Sequence, residues 1–502
     1  MKIFFAALVL AAGVGPAWGD DLSQQVRDYR AKHEAAIVGQ LDELTRLQSV
    51  AANPAALAVT AARLESLLKE RGFKTQQMTA PGAPPVVFGS FNSPGAKRTV
   101  IFYAHYDGQP VTRTQWSSDP FVPVMRDGLA GKDVDWKSAK PPFNPEWRLF
   151  GRATADDKGA IVAFLTAFDA LKATGRKPSV NIKVVWDGEE EANSPHLDAI
   201  LKRHASELRG DVWLIGDAPV HQSRAPTLYF GVRGLLGLEA TIYGPLRALH
   251  DGHYGNWMPN PAAMAAELIA QMRDGDGRIL IPGFADDARP LTAAEQAAIA
   301  RLPQVEDGLK REFGVGRSEG NDGLTASTMR PALNIRGLRS GQVGAEANNA
   351  IPVEAAISVD FRLVPGQTVE GVRAKVEAFL KAKGWTVVTN PPDAAARMAH
   401  PRLIRLTWDS GYPALRSDMT SPAAKGVIAA AEKAAGGPIA VLPMMGGSVP
   451  INLFDDIFHV PVIGIPIGNH DNNQHAANEN LRLRNLWDGI GLYAAMMAQL
   501  SW

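Results

Sequence analysis

Residues 180–191 read VNIKVVWDGEEE, an apolar and β-branched run that ends in a cluster of acidic side chains. The first seven residues have the length and composition of a buried strand. The carboxylates of Asp187, Glu189, Glu190 and Glu191 therefore gather at the carboxyl end of that strand. Because grouped negative charges are costly without a positive charge among them, this stretch predicts a bound divalent cation.

Three further segments repeat this design, in which a buried strand runs into potential metal ligands. They are 99–107 (TVIFYAHYD, ending in His105 and Asp107), 212–217 (VWLIGD, ending in Asp217) and 460–467 (VPVIGIPI, which precedes the loop of His475). In open α/β sheets, ligands bind beyond the carboxyl ends of the strands. Four such strands at one sheet edge predict a single metal site built from His, Asp and Glu.

The composition limits the class of protein and the kind of site. A chain of 502 residues is long enough for two or three domains. Lys plus Arg and Asp plus Glu both number 52, so no net field favours a nucleic acid or a membrane surface as partner. The chain has no cysteine, which excludes disulfides, a thiolate nucleophile and sulfur ligands. Any zinc must therefore be held by histidine and carboxylate.

The amino terminus is typical of a secretory signal. Residues 1–12 (MKIFFAALVLAA) carry one positive charge and a short apolar core, and the small residues Ala17 and Gly19 follow. This pattern predicts a signal peptide over residues 1–19, with an uncleaved membrane anchor as the alternative. The expected location is secreted or periplasmic.

The remaining chain predicts an α/β fold in two parts. Residues 20–235 include alternating strands and helices that build a parallel sheet. Residues 236–415 predict a strand, helix, strand, helix succession, which is a smaller α+β unit. The first pattern returns over residues 416–502, so the middle unit is predicted to be an insertion. Two lobes imply a cleft between them.

The segment 151–159, which reads GRATADDKG, is a further metal-site motif. Adjacent acids in a glycine-flanked turn can present one carboxylate, here Asp156, to two metal ions. The alternative is a turn that caps the next helix and forms a solvated salt bridge. For His105 and Asp107, the alternatives are a structural histidine and a metal ligand whose imidazole a carboxylate orients.

Taken together, the motifs resemble a known family. They are YAHYDG at 103–108, GRATADDKG at 151–159, Glu190-Glu191, Asp217, LHDG at 249–252 and HAANE at 475–479, with GRILIPG at 277–283 and FRLVP at 361–365. This ordered set resembles the M20 family of dinuclear zinc metallopeptidases, most of all the branch of carnosinase and cytosolic nonspecific dipeptidase. The resemblance implies a zinc-peptidase-like catalytic domain with a central, mostly parallel sheet, and an inserted α+β lid and dimerisation domain.

The resemblance also implies a ligand set. His105 and Asp217 would hold one metal ion, Glu191 and His475 would hold the other, and Asp156 would bridge them. In the family, the peptide bond between the two acids of the Asp156 turn is often cis. Two Zn²⁺ ions per subunit are expected, although Mn²⁺ and Co²⁺ suit these ligands nearly as well.

The implied chemistry is the hydrolysis of an amide bond. Two metal ions about 3.5 to 4 Å apart can hold a hydroxide between them and polarise the scissile carbonyl. Glu190 matches the family's general base, which takes the proton of the bridging water and returns it to the leaving amine. Asp107 would clamp the imidazole of His105.

By resemblance, four residues would contact the substrate. Arg362 matches an anchor for the substrate carboxylate, and Asn349 and Ser448 match further contacts. His250 matches a histidine that reaches the partner's active site in a homodimer formed through the lid. Its loop reads LHDG in place of LHSG. Residues 408–412 read WDSGY where carnosinase-like enzymes carry a lid histidine, so the substrate preference of those enzymes is not carried over.

The function predicted from these residues is a dinuclear zinc metallopeptidase that hydrolyses dipeptides. The alternative within the family is an N-acyl amino acid deacylase or a carboxypeptidase. The alternative from another class is a noncatalytic periplasmic protein that binds peptide or stores metal in the cleft. That alternative predicts loss of the base or of a bridging ligand, and the sequence keeps both.

Overall fold

The computed structural model describes residues 21–502, so the predicted signal peptide lies outside the described residues. The helices are α1 (Asp21–Thr45), α2 (Pro54–Glu70), α3 (Gly159–Ala173), α4 (Leu197–Arg203), α5 (Asp251–Tyr254), α6 (Pro261–Met272), α7 (Ala293–Ala300), α8 (Glu306–Phe313), α9 (Leu324–Thr328), α10 (Val369–Ala382), α11 (Ala394–Ala399), α12 (Pro422–Ala435), α13 (Asn452–Phe458) and α14 (Leu483–Ala498). Among residues 21–502, no helix combines the length and apolar character needed to cross a membrane.

The strands form one large sheet, a second sheet of five strands and several small pairings. They are β1 (Lys74–Met78), β2 (Val86–Phe91), β3 (Thr99–His105), β4 (Val124–Arg126), β5 (Arg148–Phe150), β6 (Asn181–Asp187), β7 (Val212–Ile215), β8 (Thr227–Tyr229), β9 (Gly231–Val232), β10 (Gly234–Tyr243), β11 (Leu249–His250), β12 (Ala332–Arg339), β13 (Ala350–Ile351), β14 (Glu354–Leu363), β15 (Thr386–Val388), β16 (Leu403–Trp408), β17 (Leu415–Arg416), β18 (Ala440–Leu442), β19 (Val462–Gly464) and β20 (Asn480–Arg482).

The large sheet has eight strands in the order β1-β2-β6-β3-β7-β19-β8-β18. Its centre is parallel, since β6, β3, β7 and β19 all run in the same direction. Strands β1 and β2 pair antiparallel at one end, and β8 runs antiparallel to β19 near the other. The predicted sheet is therefore confirmed in its centre and mixed at its margins. The four parallel neighbours are the strands predicted to end in metal ligands, so those ends share one edge.

Helices cover both faces of the large sheet. Helices α1, α3, α12 and α14 pack on one face, and α4 and α13 pack on the other. In β3, Phe102 packs on the face covered by α3 and α14, whereas Tyr103 packs on the face covered by α4 and α13, and both side chains are buried. Because its central strands are buried on both faces, their sequences read as continuous apolar runs without alternation.

Helix α3 leads away from the metal-site motif into the core. It begins at Gly159, directly after the acidic turn Thr154–Lys158, and most of its residues are buried. A Cβ atom at Gly159 would lie 2.7 Å from both Leu481 Cδ2 and the carbonyl oxygen of Thr154. Glycine therefore allows the helix to start this close to the turn, which places the acidic residues at the sheet edge.

The five-stranded sheet has the order β12-β14-β10-β16-β15 and is antiparallel except for the β15–β16 pair. Helices α6 and α10 pack on one of its faces and form a second hydrophobic core. This is the smaller α+β unit that the sequence predicts, with all its strands between residues 234 and 408. The chain then returns to the large sheet with β18 and β19.

A three-stranded sheet, β20-β5-β4, lies beside the metal-site motifs and was not predicted. Strand β5 ends one residue before Gly151, and β20 begins one residue after Glu479. Pairing of β5 with β20 brings the two loops together, and the Gly151 N–H donates to the carbonyl oxygen of Glu479 at 3.0 Å. Two motifs more than 300 residues apart in sequence are thereby fixed against each other.

Candidate metal centre and substrate site

The structure brings the five predicted metal ligands together in two overlapping triads. His105, Asp156 and Asp217 form one triad, and Asp156, Glu191 and His475 form the other. Within each triad, the potential ligand atoms all lie within 4.8 Å of one another. Asp156 belongs to both triads, which is the position expected for a bridging carboxylate.

The carboxylate of Asp156 faces both halves of the cluster. Its Oδ1 lies 3.0 Å from His105 Nε2, and its Oδ2 lies 3.1 Å from His475 Nε2. His475 Nε2 is also 3.3 Å from Glu191 Oε2. The peptide bond between Asp156 and Asp157 is cis, as in the family that the motifs resemble. One carboxylate thus offers a separate oxygen to each triad.

Glu479 holds the turn that carries Asp156. This side chain is fully buried and accepts backbone hydrogen bonds from Ala153 at 2.9 Å, Ala155 at 3.0 Å and Asp156 at 3.1 Å. It also pairs with Arg152 at 2.8 Å. Glu479 is the last residue of the HAANE motif at 475–479, and no role was predicted for it. An acid in this motif hints at a function, but the backbone groups that Glu479 binds are brought to it only by the three-stranded sheet.

Asp107 connects the end of β3 to the acidic run. Its carboxylate oxygens accept hydrogen bonds from the backbone N–H groups of Glu190 at 3.2 Å and Glu191 at 3.1 Å. Its Oδ1 lies 3.3 Å from Nδ1 of His105. Asp107 is therefore placed where it can orient the imidazole, and it also fixes the two acids opposite.

The acidic run divides into side chains that face the cluster and side chains that do not. Glu190 Oε2 lies 3.9 Å from His105 Nε2, and Glu191 belongs to a triad. Glu189 turns away and accepts hydrogen bonds from the backbone N–H of His196 at 2.8 Å and from its Nδ1 at 2.9 Å. Consecutive acids therefore have different partners, a distinction that the sequence did not provide.

The electrostatics of the cluster suit a bound cation. Burial raises the pKa of Glu191 to about 9 and that of Asp217 to about 6, and the charge of Asp156 adds to both. Burial likewise raises the pKa of Glu190 well above its ordinary value. Among residues 21–502, the buried Oε1 atom of Glu191 finds no hydrogen-bond partner. Histidine and carboxylate ligands with a surplus of buried negative charge fit a pair of divalent metal ions.

Two amide side chains also touch the predicted ligands and were missed. Gln109 Nε2 donates to Glu191 Oε2 at 2.7 Å, and Gln474 Nε2 donates to Asp156 Oδ2 at 2.9 Å. Gln474 directly precedes His475, and Gln109 lies four residues after His105. A glutamine in a loop carries no signal by itself, because its amide more often contacts solvent or backbone.

Three residues in or near the cluster adopt a strained, left-handed backbone conformation. Ala218, which follows Asp217, has a φ of 95°, His475 has a φ of 61°, and Ala153 has a φ of 64°. A non-glycine residue in this region costs roughly 1 to 2 kcal/mol. Such conformations persist where the surrounding structure holds them, and they often occur at functional sites.

Two of the four predicted substrate contacts meet between the two sheets. Arg362 Nη1 donates to Ser448 Oγ at 2.8 Å, and Arg362 Nε donates to Asp360 Oδ2 at 2.8 Å. Arg362 belongs to β14 of the five-stranded sheet, whereas Ser448 follows β18 of the large sheet. The hydrogen bond between them therefore crosses from one part of the fold to the other.

The other two predicted contacts lie together on a different loop. Strand β11, which ends at His250, pairs with β13, and the Asp251 N–H donates to the carbonyl oxygen of Asn349 at 3.1 Å. The His250 side chain is 55% exposed, and its Nδ1 accepts from the N–H of Gly252. Within residues 21–502, the structure shows no contact between His250 and the metal cluster.

The family of the chain follows from its sequence over the same region. Residues 101–499 match the Peptidase family M20/M25/M40. The chain belongs to this family. Its sequence is similar to Cys-Gly metallodipeptidase dug1 of Schizosaccharomyces pombe, with 26% identity over 449 residues and 88% of each chain covered. It is also similar to Beta-Ala-His dipeptidase of Homo sapiens, with 26% identity over 471 residues, covering 91% of this chain and 85% of that one.

A solved structure extends the similarity to the fold of a family member. The M20 family metallo-carboxypeptidase Sso-CP2 from Sulfolobus solfataricus has a TM-score of 0.74 and 26% identity, with 92% of this chain and 98% of that chain covered. The predicted family and its dipeptidase branch are confirmed, as are the fold class and the hydrolase class. The chain is a metallopeptidase of the M20 family.

Proposed function

We propose that the protein is a dinuclear zinc dipeptidase in which Glu190 is the general base. The observation that carries this proposal is the position of Asp156, whose two carboxylate oxygens face His105 and His475 at 3.0 and 3.1 Å. His105 and Asp217 would hold one ion, Glu191 and His475 the other, and Asp156 would bridge them. When bound, the metal pair supplies Lewis acidity that polarises the scissile carbonyl and acidifies a water molecule.

The protein's own side chains position and move the proton. Glu190 lies at the rim of the cluster, where its carboxylate can accept a proton from water and return it to the leaving amine. The backbone N–H of Glu190 is held by Asp107 at 3.2 Å, so the base and the His105 imidazole share one orienting carboxylate. Burial of the cluster strengthens each of these electrostatic contacts.

Dipeptides are the proposed substrates of this site. The names of two relatives, Cys-Gly metallodipeptidase and Beta-Ala-His dipeptidase, support the same substrate class. Arg362 and Ser448 would bind the carboxylate of a short substrate, for which a guanidinium is well suited. A fixed distance between anchor and metal pair would limit the length of the peptide.

A carboxypeptidase is the second candidate, because Sso-CP2 is as similar in sequence as the dipeptidases. An N-acyl amino acid deacylase stays a prediction of the same kind. To separate them, the mature, zinc-loaded protein is incubated with dipeptides, longer peptides and N-acyl amino acids, and the released amino acids are identified by mass spectrometry. Cleavage of dipeptides alone supports the proposal. Release only from longer or acylated substrates replaces it with the second candidate or the deacylase.

Assembly and location complete the proposal. A homodimer through residues 236–415 would bring the exposed His250 of one subunit to the site of the other. The signal peptide over residues 1–19 would direct the protein to the periplasm or out of the cell. Size-exclusion chromatography with light scattering tests the dimer. Amino-terminal sequencing of the protein from a periplasmic extract tests cleavage after Gly19.

A further inference from the structure

Arg362, the predicted carboxylate anchor, is already paired with an acid. Its Nε lies 2.8 Å from Asp360 Oδ2, and the side chain of Asp360 is 7% exposed. A half-buried guanidinium that is neutralised in this way can donate hydrogen bonds to a substrate carboxylate. It supplies little net charge to attract that carboxylate, because the buried Asp360 repels it. The source of the positive charge must lie elsewhere.

A second guanidinium, that of Arg233, lies beside the first. Arg233 Nε donates to the carbonyl oxygen of Gly446 at 2.8 Å, while Arg362 bonds to Ser448 two residues further along the same loop. Burial lowers the pKa of Arg233 to about 10, the charge of Arg362 lowers it further and the charge of Asp360 opposes this, so the two guanidinium groups share one electrostatic environment. Within residues 21–502, no carboxylate lies within 4.0 Å of the Arg233 guanidinium.

Tyr412 interacts electrostatically with both Arg362 and the acids of the metal cluster. Leu235 of β10 pairs with Arg362 on one side and with Tyr412 on the other, so the side chains of Arg362 and Tyr412 leave the same face of the sheet. Burial raises the pKa of Tyr412 well above its ordinary value, the charge of Glu190 adds to this and that of Arg362 opposes it. The phenol is therefore within electrostatic range of both the predicted base and the anchor.

We propose that Arg233 supplies the uncompensated positive charge that binds the carboxyl terminus of the substrate, while Arg362 and Ser448 orient it. This inference rests on the proposed dipeptidase function. The pair of arginines and Asp360 carry one net positive charge, which a single carboxylate neutralises. Substrates with a free terminal carboxylate would be preferred over the corresponding amides for that reason.

The test compares a dipeptide with its carboxyl-terminal amide in the metal-loaded, full-length protein. In the wild type, kcat/KM is expected to be at least tenfold higher for the dipeptide. Arg233→Gln should raise KM for the dipeptide by about 10- to 100-fold, as loss of a charged hydrogen bond does, with little change in kcat. The same variant should hydrolyse the amide within about twofold of the wild type.

Two further variants keep the test decisive if Arg233→Gln folds poorly. Arg233→Lys retains the charge and should keep KM for the dipeptide within a few-fold of the wild-type value. Asp360→Asn releases Arg362 from its acid, so adding it to Arg233→Gln should recover part of the lost affinity. An unchanged KM in Arg233→Gln, or equal losses for dipeptide and amide, would overturn the inference.

Failure of the proposed function gives a different result. If the wild type cleaves no dipeptide, that function is wrong, and the inference is decided by binding. Isothermal titration calorimetry then compares Gly-Leu with its amide on the wild type and on Arg233→Gln. Tighter binding of the free carboxylate that is lost in the variant supports the role of Arg233. Equal binding of both peptides to the wild type contradicts it.

Discussion

The metal cluster and the lid histidine differ in how completely their surroundings fix them. His105 is fully buried and contacts Asp107 and Asp156, whereas the side chain of His250 is 55% exposed and contacts only its own loop. Both histidines were predicted from motifs that resemble those of the family. The metal site is therefore assembled within one chain, whereas the proposed role of His250 requires the proposed dimer.

The two sites differ because more contacts hold the ligands of the cluster in place. The cluster is built on parallel strand ends and on Glu479, whose carboxylate satisfies three backbone N–H groups of the Asp156 turn. These contacts position the ligands before any substrate binds, which is the condition for efficient catalysis. The loop of His250 is held by the pairing of β11 with β13, and the His250 side chain itself stays exposed.

The largest effect is expected from the predicted base. Glu190→Ala should lower kcat by roughly 10²- to 10⁴-fold, because proton transfer contributes about this much. The metal content, measured by inductively coupled plasma mass spectrometry, should stay unchanged. Glu189→Gln is the matched control, since Glu189 faces His196 and not the cluster. Similar losses of activity in both variants would contradict the assignment of Glu190.

The next effect concerns metal binding. Asp156→Asn should remove both ions, since this residue belongs to both triads. Asp107→Asn changes a side chain that orients His105 and accepts hydrogen bonds from the backbone of Glu190 and Glu191, and it should weaken metal binding by roughly 10- to 100-fold. Metal affinities from titration against a competing chelator check both values. If Asp156→Asn keeps both ions, Asp156 is not the bridging ligand.

The loop that carries His475 provides a test of stability against pH. Burial raises the pKa of Asp471, but hydrogen bonds from Arg148 and Asn469 and the charges of Arg148 and Arg482 outweigh it, so this pKa lies well below its ordinary value. The ion pairs of Asp471 with Arg148 and Arg482 therefore stabilise the fold fully above the unfolded-state pKa of about 3.9. This stabilisation is lost as the pH falls from there through the lower folded-state pKa.

Asp471→Asn should accordingly lower the free energy of unfolding at pH 7 by about 3 kcal/mol, since it removes the carboxylate that pairs with the buried Arg148. Urea unfolding of the variant and the wild type from pH 7 to pH 2 measures the difference. The difference should narrow as the pH falls below about 3.9, because the unfolded chain takes up the proton before the folded protein does. A difference that is independent of pH would mean that Asp471 acts through packing alone.

The smallest change in stability is expected for His250→Ala. Because the side chain is exposed, the free energy of unfolding should change by no more than about 0.5 kcal/mol. The kcat should nevertheless fall if His250 acts in the partner's site. Mixing His250→Ala with Glu190→Ala should then restore activity, because one site of a mixed dimer keeps both groups. Without recovery on mixing, the proposed dimer contact is wrong.

Much of the metal site was predictable because its chemistry restricts the residue types. The pattern of an apolar strand followed by His, Asp or Glu occurs four times, and the four strands are neighbours in the sheet. The antiparallel strands β1 and β2 and the three-stranded sheet were missed, since short edge strands have weak apolar patterns.

The sequence by itself determined the family, the fold class and the five candidate ligands, because strand ends and motif order are local properties of the chain. Only the tertiary structure decided the partner of Glu189, which turns away from the cluster and accepts hydrogen bonds from His196. It also decided that Glu479 holds the Asp156 turn and that Arg233 lies beside Arg362. The physical reason is that these contacts join side chains to backbone groups that are distant in sequence, and sheet pairing alone brings them together.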